Sequence, residues 1–338
     1  MSIELPVLRL GLAGFSAEQQ ERLGIWLPKA LSGALSWQPS KFGDADAWWV
    51  HGGRVQQLAD GTLRVASGVP GGRSIQLNMS EIDRPVAFSI PLAQRDFEPV
   101  YRFEADSEAS MNKVLARFEA WLRPLAAQFC LASHIIEHET ALGSGIYHVS
   151  TGGTLLAVVN LQGEAGVLPT AGPADFENAM WAHRPHSAGA IPEGFVKASL
   201  SQLMWQYAVR TSRDVLPRRY RSGKLYFRRP PRLPQRLLRD SHLLLMRELA
   251  GAPASFEELR TRTELGEKEL AHDLAALYLV GAITSNPKRA GSHAGRNDGD
   301  STHGLSQASV PSGLDAQASG PGGIKRSDMT APAPMSLE

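Results

Sequence analysis

The chain has one cysteine, Cys130, among 338 residues. A single thiol excludes an intrachain disulfide framework and fits a reducing cytoplasm. It lies in the apolar run AAQFCLAS, where a thiol behaves as a small buried hydrophobe. No stretch approaches the 18 uninterrupted apolar residues that mark a membrane-spanning helix, so no membrane insertion is expected. The opening residues, MSIELPVLRLGLAGF, lack a basic segment followed by a long apolar run and a small-residue cleavage site. No secretory leader is therefore expected, and the chain reads as cytoplasmic. The turn Gly11-Leu-Ala-Gly14-Phe-Ser16 matches neither G-x-G-x-x-G nor G-x-x-x-x-G-K-[ST], so its glycines are read as turn residues and not as a phosphate cradle.

Hydrophobic residues make up 43% and charged residues 20%, an ordinary globular mixture. The net charge is only +1, but it is unevenly placed. Residues 210–239 carry eleven basic side chains against one acid, Asp214, a local charge of +10 that leaves −9 for the rest of the chain. Such asymmetry speaks of partners and not of fold.

Three patterned regions flank that segment. Over 1–105, the strand LPVLRLGLAG, a helix capped at Ser16 with Gln19 in the capping-box position, and the strands ADAWWV and PVAFSIPL predict a small α/β domain. GlyGly at 52–53 and AspGly at 60–61 punctuate short strands at 54–58 and 62–66. Over 106–209, Met111, Val114, Leu115, Phe118, Trp121, Leu122 and Leu125 recur at helical spacing, with Pro124 expected to kink or divide the helix. The period then changes to two, predicting a three-stranded meander over 145–169, with helices at 173–182 and 195–209 to complete an α+β domain. The junction 210–236 contains Pro217, Pro230, Pro231 and Pro234, which exclude one long helix. Over 237–290 come the amphipathic LLRDSHLLLMREL, a helix capped by Ser255 with Glu258 in the capping box, the turn Glu264-Leu265-Gly266, a further helix ended by Gly281, and a short strand. Residues 291–338 are rich in Gly, Ser, Pro and Ala without apolar periodicity, and are read as a disordered tail. The fold class expected is therefore multidomain, α/β followed by α+β.

Two resemblances refine this. Residues 1–130 resemble a response-regulator receiver domain that lacks its chemistry. Gly14-Phe15-Ser16 follows the first strand where a receiver has its Mg²⁺-binding acids, and Ala47–Val50 runs into His51-Gly52 where a receiver has its aspartate. Asp44 and Asp46 precede that strand, so the resemblance implies a receiver-like domain without phosphotransfer. Residues 237–290 resemble a winged helix-turn-helix domain. Its would-be recognition helix opens Gly266-Glu267-Lys268-Glu269 and continues with His272 and Asp273, acids that duplex phosphate would repel. Winged helices also serve as protein-interaction modules, so a protein partner is a further expectation.

The basic junction carries the chemical expectation. RRYRSGKLYFRRPPR interleaves guanidinium forks, which grip phosphates, with aromatic rings that stack on bases. Arg228-Arg-Pro-Pro-Arg232 and Arg232-Leu-Pro-Gln-Arg236 resemble the arginine half of the PilZ cyclic di-GMP signature; the other half is absent, since Asn78-Met-Ser80 lacks its glycine. The expected ligand-binding residues are Arg218, Arg219, Arg221, Lys224, Tyr226, Phe227, Arg228, Arg229, Arg232 and Arg236. The leading expectation is a non-catalytic regulator that binds an anionic nucleotide, with cyclic di-GMP as the specific candidate and no cofactor. A DNA-binding regulator using the same arginines beside the winged helix is the alternative. A zinc-dependent hydrolase is a distant third, because His134-Ile-Ile-Glu137-His138 matches H-x-x-E-H but lacks an evident third ligand.

Overall fold

A computed structural model describes residues 4–30, 35–94 and 97–291. The tail read at 291–338 lies outside the described residues, apart from Gly291. The described part mixes parallel and antiparallel sheets with helices.

The chain opens with β1 (Val7–Ala13), whose buried residues alternate along most of its length. Ser16 caps α1 (Ala17–Trp26) in a full capping box with Gln19, as the sequence predicts. Then follow β2 (Ser36–Ser40) and β3 (Ala47–Val50). A small antiparallel sheet comes next, β4 (Val55–Gln57), β5 (Leu63–Val65) and β6 (Ile75–Leu77). The chain returns through β7 (Val86–Ile90) and β8 (Tyr101–Glu104). Strands β2-β1-β3-β7-β8 form one sheet in that order, every pair parallel. Pro39 is tolerated in β2 because that strand lies at the sheet edge.

Ser107 caps α2 (Glu108–Glu137), thirty residues and about 45 Å long. It is continuous through Pro124, where the sequence suggests a kink or division. Pro124 falls where the helix passes from one core to another. Met111, Val114, Leu115, Phe118 and Leu122 pack with Leu8, Leu10, Trp37, Trp49 and Phe103 of the parallel sheet. Phe129, Cys130, Leu131 and Ile135 pack into a second, larger core.

That second core contains β9 (Ile146–Thr151), β10 (Thr154–Asn160) and β11 (Glu164–Val167), the meander expected from the period of two. Two local expectations are corrected. The helix read at 173–182 is only α3 (Pro173–Glu177), because β12 (Met180–Arg184) pairs with the edge of β9. The helix read from 195 begins five residues later. β13 (Val196–Ser199) first pairs with β11, and Ser199 then caps α4 (Leu200–Ala208) in a box with Gln202. Cross-strand pairing at open sheet edges overrides local helical spacing at both places.

The basic segment forms α5 (Arg218–Ser222) and β14 (Lys224–Phe227). After it come α6 (Asp240–Gly251), β15 (Ala254–Ser255), α7 (Phe256–Thr263), α8 (Glu267–Leu279) and β16 (Ile283–Thr284). Ser255 and Glu258 form the expected capping box, and Gly281, at φ +68°, follows α8. The three short strands form a sheet in the order β15-β14-β16, with β14 antiparallel to both neighbours. Leu245, Leu249, Leu259, Leu270, Leu274 and Leu277 join the same core as the meander.

Candidate functional site

The basic segment is a shaped surface pinned at regular points. Tyr220 of α5 and Leu225 of β14 are buried, and Phe227, Leu233, Leu237 and Leu238 pack partly against the core. Pro230, Pro231 and Pro234 keep the chain between Phe227 and Gln235 outside helix and strand, and Arg228, Arg229 and Arg232 along it are exposed. Tyr226 and Phe227 are half-buried and stand opposite Thr284 and Ile283 in the β14–β16 ladder.

Its eleven basic residues fall into two populations. Four are engaged by carboxylates. Arg210 meets Asp46 and Arg213 meets Glu137 at 3.0 Å and Glu4 at 3.3 Å. Arg221 meets Asp214 at 2.6 Å, and Arg239 meets Asp44 at 3.5 Å. Arg210, Arg213 and Arg239 thereby tie the segment to Glu4, Asp44 and Asp46 at the amino-terminal sheet. Arg218, Arg219, Lys224, Arg228, Arg229, Arg232 and Arg236 are exposed and form no ion pair among the described residues. Arg219 lies over the Tyr220 ring, 5.6 Å from its centroid. Arg228 and Arg229 both reach Gly281, where their terminal nitrogens lie 3.5 and 3.6 Å from the position a Cβ would take. Of the expected ligand-binding residues, then, only Arg221 has a carboxylate partner among the described residues.

The anchoring acids are specifically held. The Glu4 carboxylate accepts from Tyr207 Oη at 3.2 Å, Thr211 Oγ1 at 2.8 Å, and Ser212 through N at 2.7 Å and Oγ at 3.0 Å. Burial and the neighbouring Glu4 push the Tyr207 hydroxyl pKa up. Val7 N donates to Arg210 O at 3.1 Å, so backbone joins the same seam. Burial raises the Asp44 carboxyl, against the pull of Lys41.

Helix α8 lies against α4 and α6. From Leu270 to Val280 it has no exposed residue. Asp273, 1% exposed, faces His242 of α6, and Trp205 of α4 stands edge-on to that imidazole at 4.7 Å. A helix that reads a major groove needs an open face, and only the first turn of α8, Glu267–Glu269, is exposed.

Beside this helix is a cavity of about 620 Å³. One wall is the loop after α4 with Arg213 and Asp214, together with Arg221 of α5. The other is the stripe Glu267, Lys268, Ala271, His272 and Ala275 of α8. The sequence marks Glu267 and Lys268 as the opening of the would-be recognition helix, but nothing local marks them as lining a cavity. They become part of a site only because α8 packs beside a loop distant in the chain.

The other sequence candidates resolve differently. At the carboxyl ends of β1 and β3, where a doubly wound sheet opens its crevice, the small sheet packs Val55, Leu63, Val65 and Leu77 onto Ala13 and Val50. His51 stands there edge-on to Phe15 at 5.3 Å, and burial lowers its pKa. His134 and His138 stack at 5.2 Å, with Trp181 Nε1 donating to His134 Nδ1 at 3.5 Å and Glu137 turned to Arg213. Among the described residues no third His, Cys, Asp or Glu joins them in a metal-holding group. Burial pushes the Cys130 thiol up to about 12.

Comparison with protein-family models, with curated proteins and with solved structures finds no match to this chain.

Proposed function

We propose that this is a non-catalytic regulatory protein that binds an anionic nucleotide, with cyclic di-GMP as the first candidate, through the basic segment. The observation that carries this reading is the set of seven exposed cations between Arg218 and Arg236 without a carboxylate partner among the described residues. Like charges crowded on a folded surface repel one another, and an anionic ligand relieves that cost. The half-buried Tyr226 and Phe227 beside them are aromatic rings of the kind on which a base stacks.

The surrounding architecture supports a regulator. The strand order β2-β1-β3-β7-β8 is the doubly wound order 2-1-3-4-5 used by receiver domains, which favours a receiver-like domain over 1–105. The filled crevice at β1 and β3 favours one without phosphotransfer. The succession α6, β15, α7, α8, β16 favours a winged-helix-like unit over 237–290. Its middle strand is supplied by β14, from ahead of the unit, so the basic segment is built into that sheet.

Calorimetric titration with cyclic di-GMP tests the reading. Wild-type protein is expected to bind, and the Arg218→Ala/Arg219→Ala/Arg221→Ala variant to bind more weakly; absence of heat from the wild type overturns it. DNA binding is the second reading, and the openness of the cationic surface favours it. The occluded length of α8 favours backbone contact over base reading there. Gel shifts at two salt concentrations test it, since a phosphate-backbone binder must weaken steeply with salt.

A further inference from the structure

Two of the open cations, Arg228 and Arg229, lie at the opposite end of α8 from the cavity. Arg228 and Arg229 meet at Gly281, beyond the last turn, whereas Glu267 and Lys268 are the first two helical residues. The thirteen-residue helix separates these places by about 20 Å, which a single nucleotide unit does not bridge. Small-molecule sites are concave, typically about 300–1,000 Å³. The cavity of about 620 Å³ falls in that range, whereas the recess at Tyr226 and Phe227, beside Arg228 and Arg229, holds only about 10 Å³.

Resting on the reading that the protein binds an anionic nucleotide, we propose that the ligand is a guanine nucleotide seated in this cavity, with Arg221 and Lys268 taking phosphate and Glu267 taking the base. A guanidinium has five N–H donors. Arg221 uses Nη2 on Asp214 at 2.6 Å, and its remaining donors are open to a phosphate. Its position over the Phe256 ring, 5.4 Å from the centroid, holds it in place beforehand. Lys268 is exposed and forms no ion pair among the described residues, and the same holds for Glu267. Ala271 and Ala275, one and two turns further along the same face, are short and apolar and leave room for a planar ring.

The mixed signs of the lining decide the base. A purely anionic ligand gains nothing from Glu267. Guanine donates from N1 and N2 on its pairing edge, and a carboxylate accepts both. Adenine presents an acceptor at N1 and is repelled.

Calorimetry on the full chain with cyclic di-GMP and cyclic di-AMP tests this. Cyclic di-GMP is expected to bind the wild type at least tenfold more tightly than cyclic di-AMP. Lys268→Ala is expected to weaken cyclic di-GMP tenfold or more, Glu267→Gln to abolish the guanine preference, and Arg228→Ala/Arg229→Ala to change affinity less than twofold. If the wild type binds neither nucleotide, the nucleotide reading fails and this assignment with it. If binding survives Lys268→Ala but weakens tenfold in Arg228→Ala/Arg229→Ala, the nucleotide reading stands and the cavity is overturned. Equal binding of the two nucleotides overturns the guanine assignment. Both cavity substitutions are at exposed positions, and unchanged circular dichroism establishes that the fold is intact.

Discussion

His242 Nε2 lies 3.2 Å from Asp273 Oδ1, and neither side chain is more than 1% exposed. The backbone N–H of Arg239 donates to His242 Nδ1 at 3.1 Å, so the ring carries its proton on Nε2, facing the carboxylate. The two buried groups face one another as a close polar contact, and neither Nε2 nor Oδ1 has another hydrogen-bond partner. Burial pushes the Asp273 carboxyl up, and the imidazoles of His242 and His272 more than reverse this, holding it well below the usual carboxylate range. Removing one partner leaves the other polar group buried without its counterpart. His242→Ala is therefore expected to cost about 3–5 kcal/mol in urea unfolding. A cost under about 1 kcal/mol contradicts the pairing.

The same pair sets an acid limit. A carboxyl depressed in the folded state contributes stability above its unfolded pKa, about 4, and loses it as pH falls further. Wild-type stability is expected to drop below about pH 4 more steeply than that of Asp273→Asn. Parallel slopes in acid titrations of the two proteins count against this assignment.

Glu4 holds the loop after α4 through Tyr207, Thr211, Ser212 and Arg213. Glu4→Ala strands two buried hydroxyls, those of Tyr207 and Thr211, and is expected to cost about 3 kcal/mol. Amide exchange at Ser212, whose N–H loses its acceptor, should accelerate more than exchange in the meander.

Arg228 and Arg229 are exposed and unpaired among the described residues, so replacing both with alanine is expected to change stability by less than about 0.5 kcal/mol. Any binding of duplex DNA measured for the wild type should be independent of sequence. Its logarithmic salt slope should become shallower by about 0.9 for each lost phosphate contact. An unaltered slope removes these two residues from the contact surface.

Cys130 is buried, with its thiol pushed up to about 12. At pH 8 its thiolate fraction is then on the order of 10⁻⁴. Alkylation by iodoacetamide is expected only after urea unfolds the chain. Rapid modification of the native protein excludes the placement.

Local chemistry was legible in the sequence to the extent that it was self-contained. The capping boxes at Ser16 and Ser255 form as read, because each needs only residues three apart. The meander forms as read, because its turns and alternation are adjacent in the chain. The helical spacing of 173–182 and 195–209 runs over residues 180–182 and Val196–Ser199, which only the partners β9 and β11 make strands. The excess of arginine was evident, but its division was not. Nothing around Arg210, Arg213 or Arg239 distinguishes them from Arg228; what does so is Asp46, Glu4 and Asp44, brought in from the other end of the sequence. The cavity was illegible for the same reason.

Helix α2 carries a mechanical consequence. Its first half is gripped by the parallel sheet and its second by the core that also holds α4 and α8, with no break at Pro124. It works as a lever with a load at each end. Rotation of the sheet against Met111 must turn Ile135, so the parallel sheet and the second core move together or one of the two cores yields.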